Sequence, residues 1–194
     1  MEMFFDYDKM RIYPSNSNLG VLIFTGIGGS FDGYKGKYSI IAKNLVEKYG
    51  ANVFIVSVEG WNVFDVLFDN VMEMVNSYFQ NLNILSYDIY AVGVSAGATL
   101  IVSKAYKFKS IKKVLSINPV IQVNFNQFID GLERTFAKIF IVFGNKDPSF
   151  KFASLISKYE SDMVKIEIIE NVDHYFSQHF DVFVDLPEKY LFKN

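Results

Sequence analysis

The segment GVSAG, residues 93–97, stands between an apolar run and a helix-like run. Residues 89–92 (IYAV) predict a short buried strand, and residues 98–106 (ATLIVSKAY) predict a helix. A G-x-S-x-G pattern at a strand-to-helix junction is typical of a nucleophile elbow, a sharp turn that exposes a serine hydroxyl at the edge of a sheet. The pattern also fits a glycine-flanked turn in which Ser95 caps the helix. Five residues alone do not decide between these interpretations.

Composition limits the class of protein. The 194 residues are 51% hydrophobic and carry a net charge of −2, which indicates a globular chain, and we expect a single domain over residues 1–194. The basic stretch at residues 104–113 (KAYKFKSIKK) resembles a solvated helix end, so we expect no nucleic-acid partner. The absence of cysteine excludes disulfides, thiolate metal sites and a cysteine nucleophile.

The N-terminal residues MEMFFDYDKM do not resemble a signal peptide, because they carry acids and no long apolar stretch. No apolar run is long enough to span a membrane. We therefore expect a soluble cytoplasmic protein. The sequence does not indicate an oligomeric state.

Apolar runs alternate with amphipathic runs along the chain, which predicts a parallel sheet with helices on both faces. The expected strands are residues 21–24, 53–58, 89–92, 114–117, 139–143 and 164–169. Residues 4–13 are expected to add an edge strand, for which an antiparallel orientation stays open. The prediction is an α/β fold: a mainly parallel sheet of six or more strands in a three-layer sandwich. Functional residues of such sheets lie at the carboxyl ends of the strands.

A glycine-rich loop, TGIGGS at residues 25–30, follows the first long strand. In hydrolases that transfer acyl groups, this loop and the residue after the nucleophile each supply a backbone N–H to the oxyanion. Those donors would here be Ile27 and Ala96. A plain glycine-rich connection is the structural alternative.

The same loop raises the alternative of a dinucleotide-binding protein using Gly26 and Gly28, with Glu59 holding a ribose. Against it, Phe31 occupies the third glycine position, and residues 32–37 (DGYKGK) delay the helix. Glu59 is also farther along the chain than the usual interval of about 20 residues.

Two further candidates follow later strands. Asp147 comes after the fifth strand and could orient an imidazole, cap a helix with Pro148 at its first position, or do both. His174 comes after the sixth strand and is one of only two histidines, the other being His179. Asp173 adjoins His174, but neighbouring side chains usually point apart, so Asp147 is preferred as the orienting acid.

The chain order Ser95, Asp147, His174 resembles that of the α/β-hydrolase family. The resemblance runs from about residue 21 to residue 176 and rests on TGIGGS, GVSAG, FGNKDP and NVDHYF, each following its own strand. Thr25 departs from the histidine that many members carry before the oxyanion glycine. Residues 119–136, where a lid is usually inserted, leave little room for one.

The resemblance implies a small lidless serine hydrolase acting on carboxylic esters or related acyl compounds. His174 would take the proton of Ser95, Asp147 would orient the imidazole, and no metal or organic cofactor would be needed. Aromatic residues after strand ends could line the site and favour a small-molecule acyl substrate with an apolar or aromatic portion: Phe31, Trp61, Phe150 and Tyr175. The alternative is a hydrolase-fold protein without turnover that serves as a binding or interaction module.

Overall fold

The computed structural model describes residues 4–7, 9–60 and 64–193. Its centre is an eight-stranded sheet with strand order β1-β2-β4-β3-β5-β6-β7-β8. The strands are β1 (Phe5–Tyr7), β2 (Met10–Tyr13), β3 (Leu19–Ile27), β4 (Asn52–Val58), β5 (Asp88–Val94), β6 (Ile111–Ile117), β7 (Lys138–Gly144) and β8 (Val164–Ile169). Strands β3 to β8 are parallel, and β1 and β2 form an antiparallel extension beside β4.

The helices are α1 (Lys37–Tyr49), α2 (Phe64–Asn81), α3 (Ala96–Lys104), α4 (Phe125–Arg134), α5 (Ala153–Ile156) and α6 (Phe180–Pro187). Short 3₁₀ turns precede α1, α4 and α5. Helix α1 ends at Gly50, whose left-handed backbone (φ 61°) directs its N–H to the carbonyl of Val46 at 2.9 Å.

Two apolar cores separate the three layers. Alternating side chains of β3 contribute to both cores. Leu22 and Phe24 lie in the first core, and Val21 and Ile23 lie in the second core, on the opposite face of the sheet. Helices α2, α3, α4 and α5 cover the first face, and α1 and α6 cover the second. The predicted fold class, a mainly parallel sheet between two helical layers, is confirmed.

The structure differs from expectation at both ends of the chain. The expected N-terminal edge strand is two strands, and β1 pairs with β2 from Phe5 opposite Ile12 to Tyr7 opposite Met10. A proline usually breaks a helix, but α6 runs through Pro187 into a π-helical turn, Glu188–Phe192. The Lys193 amide there donates to the Glu188 carbonyl, five residues back, at 3.2 Å. None of the described helices is long and apolar enough to cross a membrane.

Candidate active site

Ser95 occupies the sharp turn between β5 and α3. Its backbone has φ 55° and ψ −113°, a conformation rarely adopted by residues other than glycine. A Cβ on Gly93 would lie 2.4 Å from the Gly97 carbonyl oxygen, and one on Gly97 would lie 2.5 Å from the backbone oxygens of Phe24 and Thr25. Both glycines are therefore required by close backbone approach. Ser95 is the residue at the N-cap position of α3, but its side chain makes no capping hydrogen bond.

The structure brings Ser95, His174 and Asp147 into one hydrogen-bonded series. Nε2 of His174 lies 3.1 Å from Oγ of Ser95, and Nδ1 of His174 is hydrogen-bonded to Oδ2 of Asp147. With Nδ1 donating to the carboxylate, Nε2 is the acceptor for the serine hydroxyl. The Asp147 side chain is 1% exposed and the His174 side chain 24% exposed. The histidine therefore reaches the surface while the acid beneath it is shielded from water.

Asp147 also caps the 3₁₀ turn at Pro148–Phe152. Its Oδ1 accepts a hydrogen bond from the Ser149 amide at 2.6 Å and another from the Ser149 hydroxyl, while Pro148 begins the turn. Burial raises the pKa of the Asp147 carboxyl, but the hydrogen bonds from His174 and Ser149 outweigh burial and hold that pKa below its usual value. Asp147 is thus kept ionised beside the imidazole.

Asp173, the alternative acid, has a different role. Its Oδ1 accepts hydrogen bonds from the amides of Tyr175 at 3.1 Å and Ser177 at 2.9 Å, so it shapes the turn after β8. These bonds hold the pKa of Asp173 below its usual value. His179 is half-buried at the start of α6 and borders a separate hollow with Lys146 and Asn171.

Asn118 connects the two loops that carry Asp147 and His174. It is fully buried with φ 46°, directly after β6. Its side-chain oxygen accepts a hydrogen bond from the Gly144 amide at 2.8 Å. Its side-chain nitrogen donates to the carbonyls of Asp173 at 3.3 Å and His174 at 3.4 Å. Sequence inspection missed this residue, because an asparagine after a strand carries no distinctive signal.

Thr25 organises the glycine-rich loop. Its hydroxyl accepts a hydrogen bond from the Val58 amide at 3.2 Å and donates to the Gly26 carbonyl at 3.0 Å. The Ser57 hydroxyl donates to the Gly29 carbonyl at 2.9 Å, which ties the loop to β4. Threonine therefore joins the loop to the neighbouring strand.

The two expected oxyanion donors flank Ser95. Ile27 ends β3 and lines the crevice, and a Cβ on Gly26 would lie 3.9 Å from Ser95 Oγ. Ala96 is the first residue of α3, where the helix provides no partner for the amide. Ala96 thus follows the serine directly, and Ile27 lines the same crevice as the serine.

A crevice of about 340 Å³ opens at Ser95 and His174. Ser30 and Tyr34 of the segment after β3 line it, as does Tyr175, which is 73% exposed. Sequence inspection missed Tyr34 and Lys37, which also line this crevice, because the residues between a glycine loop and a helix resemble surface linkers.

Two of the expected aromatic lining residues lie elsewhere. Phe31 does not line the crevice and packs against the second core and the guanidinium of Arg11, 5.2 Å from its ring centre. Phe150 does not line the crevice either and packs against the first core. Trp61 lies outside the described residues.

The residues of the dinucleotide alternative are engaged elsewhere. Glu59 forms an ion pair with Lys9 at 2.8 Å. Nine residues, 28–36, separate Ile27 from the start of α1 at Lys37, so this helix N-terminus does not follow the glycines directly. Among residues 4–7, 9–60 and 64–193 there is no cluster of three or more side chains suited to hold a metal ion.

No protein-family model matches the sequence, and no curated protein sequence is significantly similar to it. Solved structures do match over nearly the whole chain. Est1E from Butyrivibrio proteoclasticus superposes with a TM-score of 0.73 at 16% identity, covering 98% of this chain and 97% of that one. Dienelactone hydrolase from Anabaena variabilis ATCC 29413 superposes with a TM-score of 0.75 at 13% identity, covering 95% and 90%.

A thioesterase domain from the curacin biosynthetic pathway has a TM-score of 0.65 at 10% identity, covering 94% of this chain and 97% of that one. The resemblance noted in the sequence therefore holds at the level of architecture: this chain has the α/β-hydrolase fold. At such low identity the superpositions describe the fold alone.

Proposed function

We propose that the protein is a serine hydrolase acting on carboxylic esters, with Ser95 as nucleophile, His174 as general base and Asp147 as the acid that orients it. The observation that carries the proposal is the hydrogen-bonded series itself. Ser95 Oγ is 3.1 Å from Nε2 of His174, whose other nitrogen is bonded to a buried aspartate. A serine held at φ 55° adds support, because such backbone strain is concentrated at functional sites.

In the proposed reaction, His174 transfers a proton in each of the two steps. His174 accepts the proton of Ser95 as Oγ attacks the ester carbonyl, and Asp147 stabilises the resulting imidazolium. The amides of Ile27 and Ala96 are the proposed donors to the oxyanion, each worth about 3 kcal/mol. His174 then returns its proton to the leaving alcohol, and an acyl-enzyme remains on Ser95 until water, deprotonated by His174, releases the acid.

We propose that the substrate carries an apolar or aromatic portion. Tyr34 and Tyr175 line the crevice, and both side chains are largely exposed at its walls, where they can contact a bound ring or alkyl chain. Est1E, which shares the fold, has been solved with ferulic acid bound, an aromatic ligand.

Covalent labelling tests the proposal. A fluorophosphonate probe should give a single adduct on Ser95 by mass spectrometry. The adduct should disappear in Ser95→Ala and form far more slowly in His174→Ala. His179→Ala is the matched control, because it removes the other histidine, which lies outside the crevice, and it should label at the wild-type rate.

Three outcomes would contradict the proposal. Labelling that persists in Ser95→Ala would exclude Ser95 as nucleophile. Labelling lost only in His179→Ala would assign the base to the other histidine. A folded wild-type protein that takes no label and hydrolyses no 4-nitrophenyl ester would favour the alternative of a binding protein without turnover.

A further inference from the structure

The charge of the crevice is asymmetric. Lys37 is the one lysine or arginine that lines it, and no carboxylate of the described residues lines it. The phenols Tyr34, Tyr38 and Tyr175 and the imidazole of His174 complete its titratable groups. Burial raises the pKa of Tyr38 further, so its phenol is neutral and offers no counter-charge.

Lys37 is half-buried at the start of α1, and its ammonium lies on aromatic rings rather than beside an acid. Nζ is 4.1 Å from the ring centre of Phe183 and 5.1 Å from that of Tyr38. It forms no ion pair with any residue in the described part of the chain. The ring faces offset part of the lost hydration but supply no negative charge.

Nearby cations behave differently. Arg11 is held by Asp6 at 2.6 Å and Asp32 at 2.9 Å, so its charge is already neutralised. Lys35, two residues before Lys37, is exposed and does not line the crevice. Lys37 is therefore the cation that combines partial burial, a place in the crevice wall and no acidic partner.

We propose that Lys37 forms an anion-binding subsite, so that the preferred substrates are esters carrying a carboxylate or another anionic group apart from the reacting carbonyl. The inference rests on the proposed function, since it names the substrate class of that same site. An anion in the crevice would supply the counter-charge that the fold does not provide.

Desolvation supports this assignment. Burial without an acid lowers the pKa of Lys37 to about 8, which shows that the protein leaves its charged form poorly compensated. The alternative is structural: the long aliphatic stem would pack on Phe183 and Tyr38 while the ammonium contacts solvent. Lys37→Met separates the two, because methionine keeps an unbranched apolar stem and removes the charge.

Two esters of matched size report on the subsite. The 4-nitrophenyl monoester of glutaric acid carries a carboxylate, and 4-nitrophenyl valerate replaces it by a methyl group. Lys37→Met should lower kcat/KM for the glutarate monoester by about 10- to 100-fold and change that for valerate by less than threefold. Lys35→Met is the matched control and should change neither. An equal loss on both esters, or no change in their ratio, would overturn the anion-binding subsite.

A binding measurement separates this inference from the proposed function. Glutarate, but not valeramide, should raise the melting temperature of the wild-type protein and of Lys35→Met, and should not raise that of Lys37→Met. If glutarate stabilises the protein in this selective way but neither ester is hydrolysed, the proposed hydrolase function is rejected and the anion-binding subsite is retained. Equal stabilisation of the wild-type protein and Lys37→Met by glutarate would reject the subsite, whatever the activity.

Discussion

Asn118 and Gly144 are joined by a buried hydrogen bond, in which the Gly144 amide donates to the Asn118 side-chain oxygen at 2.8 Å. Gly144 is the last residue of β7, three positions before Asp147. The amide nitrogen of the same Asn118 side chain holds the carbonyls of Asp173 and His174. One side chain therefore sets the relative position of the loops that carry the acid and the histidine.

We expect Asn118→Gly to lower kcat by about 10- to 100-fold, because a displacement of about 1 Å between catalytic groups has that effect. Glycine tolerates the φ of 46°, so this variant removes the side chain without backbone strain. The KM should change less than kcat, because other crevice residues, Ser30, Tyr34 and Lys37, lie on segments that Asn118 does not hold. A merely structural role would lower the melting temperature and leave the kcat of the folded protein unchanged.

Asp147 should show separable effects on activity and stability. Asp147→Asn keeps an N-cap oxygen for Ser149 but loses the charge, so activity should fall by roughly 10³- to 10⁴-fold with a small change in stability. Asp147→Ala should lose similar activity and, in addition, about 1 kcal/mol of the free energy of unfolding. Urea unfolding and ester hydrolysis measure both. Equal stability of the two variants would contradict the capping role.

The Asp147 carboxylate also predicts a pH dependence of stability. Its pKa in the folded protein lies below the ordinary value of 3.8, so the folded state binds fewer protons than the unfolded state between the two values. The stabilisation is therefore complete above about pH 4 and is lost as the pH falls through the folded pKa. The stability difference between the wild-type protein and Asp147→Asn should shrink as the pH falls below about 4.

Substrate preference should depend on pH through Lys37. Its pKa of about 8 means that the ammonium is present below that pH and is lost above it. The ratio of kcat/KM for the glutarate monoester to that for valerate should fall roughly tenfold between pH 7 and pH 9.5. Lys37→Met should give a ratio independent of pH.

The close approach at the elbow makes Gly93 sensitive to any side chain. Gly93→Ala should lower the free energy of unfolding by about 2–4 kcal/mol, because the new Cβ would lie 2.4 Å from a backbone oxygen that cannot easily move. Gly36→Ala is the control: it has φ 73° and no atom near its Cβ position, so about 1 kcal/mol is expected. Equal losses in urea unfolding would mean that conformation, rather than contact, decides the cost.

What the sequence could predict was local or periodic. The strands were evident as apolar runs, and Asp147 was identifiable as a cap because Pro148 follows it directly. Asn118 was not, since its hydrogen-bond partners lie 26, 55 and 56 residues away. Whether Phe31 and Phe150 pack in a core or line the crevice depends on which side of a loop faces the core. The alternation of apolar and polar residues predicts this in strands but not in loops. Lys37 resembled an ordinary surface lysine, because nothing in its neighbouring residues indicates that it lines a crevice with Ser95 and Tyr175.

The backbone of Ser95 has a consequence for how such a protein could change over generations. A backbone at φ 55° is less strained in glycine than in serine. Selection for stability alone would therefore replace Ser95, while it would keep Asp147 because this residue caps a turn. A lineage no longer selected for hydrolysis would thus lose the serine first and keep the aspartate longest. The identity of residue 95 is therefore the most sensitive record of whether chemistry at this site is still under selection.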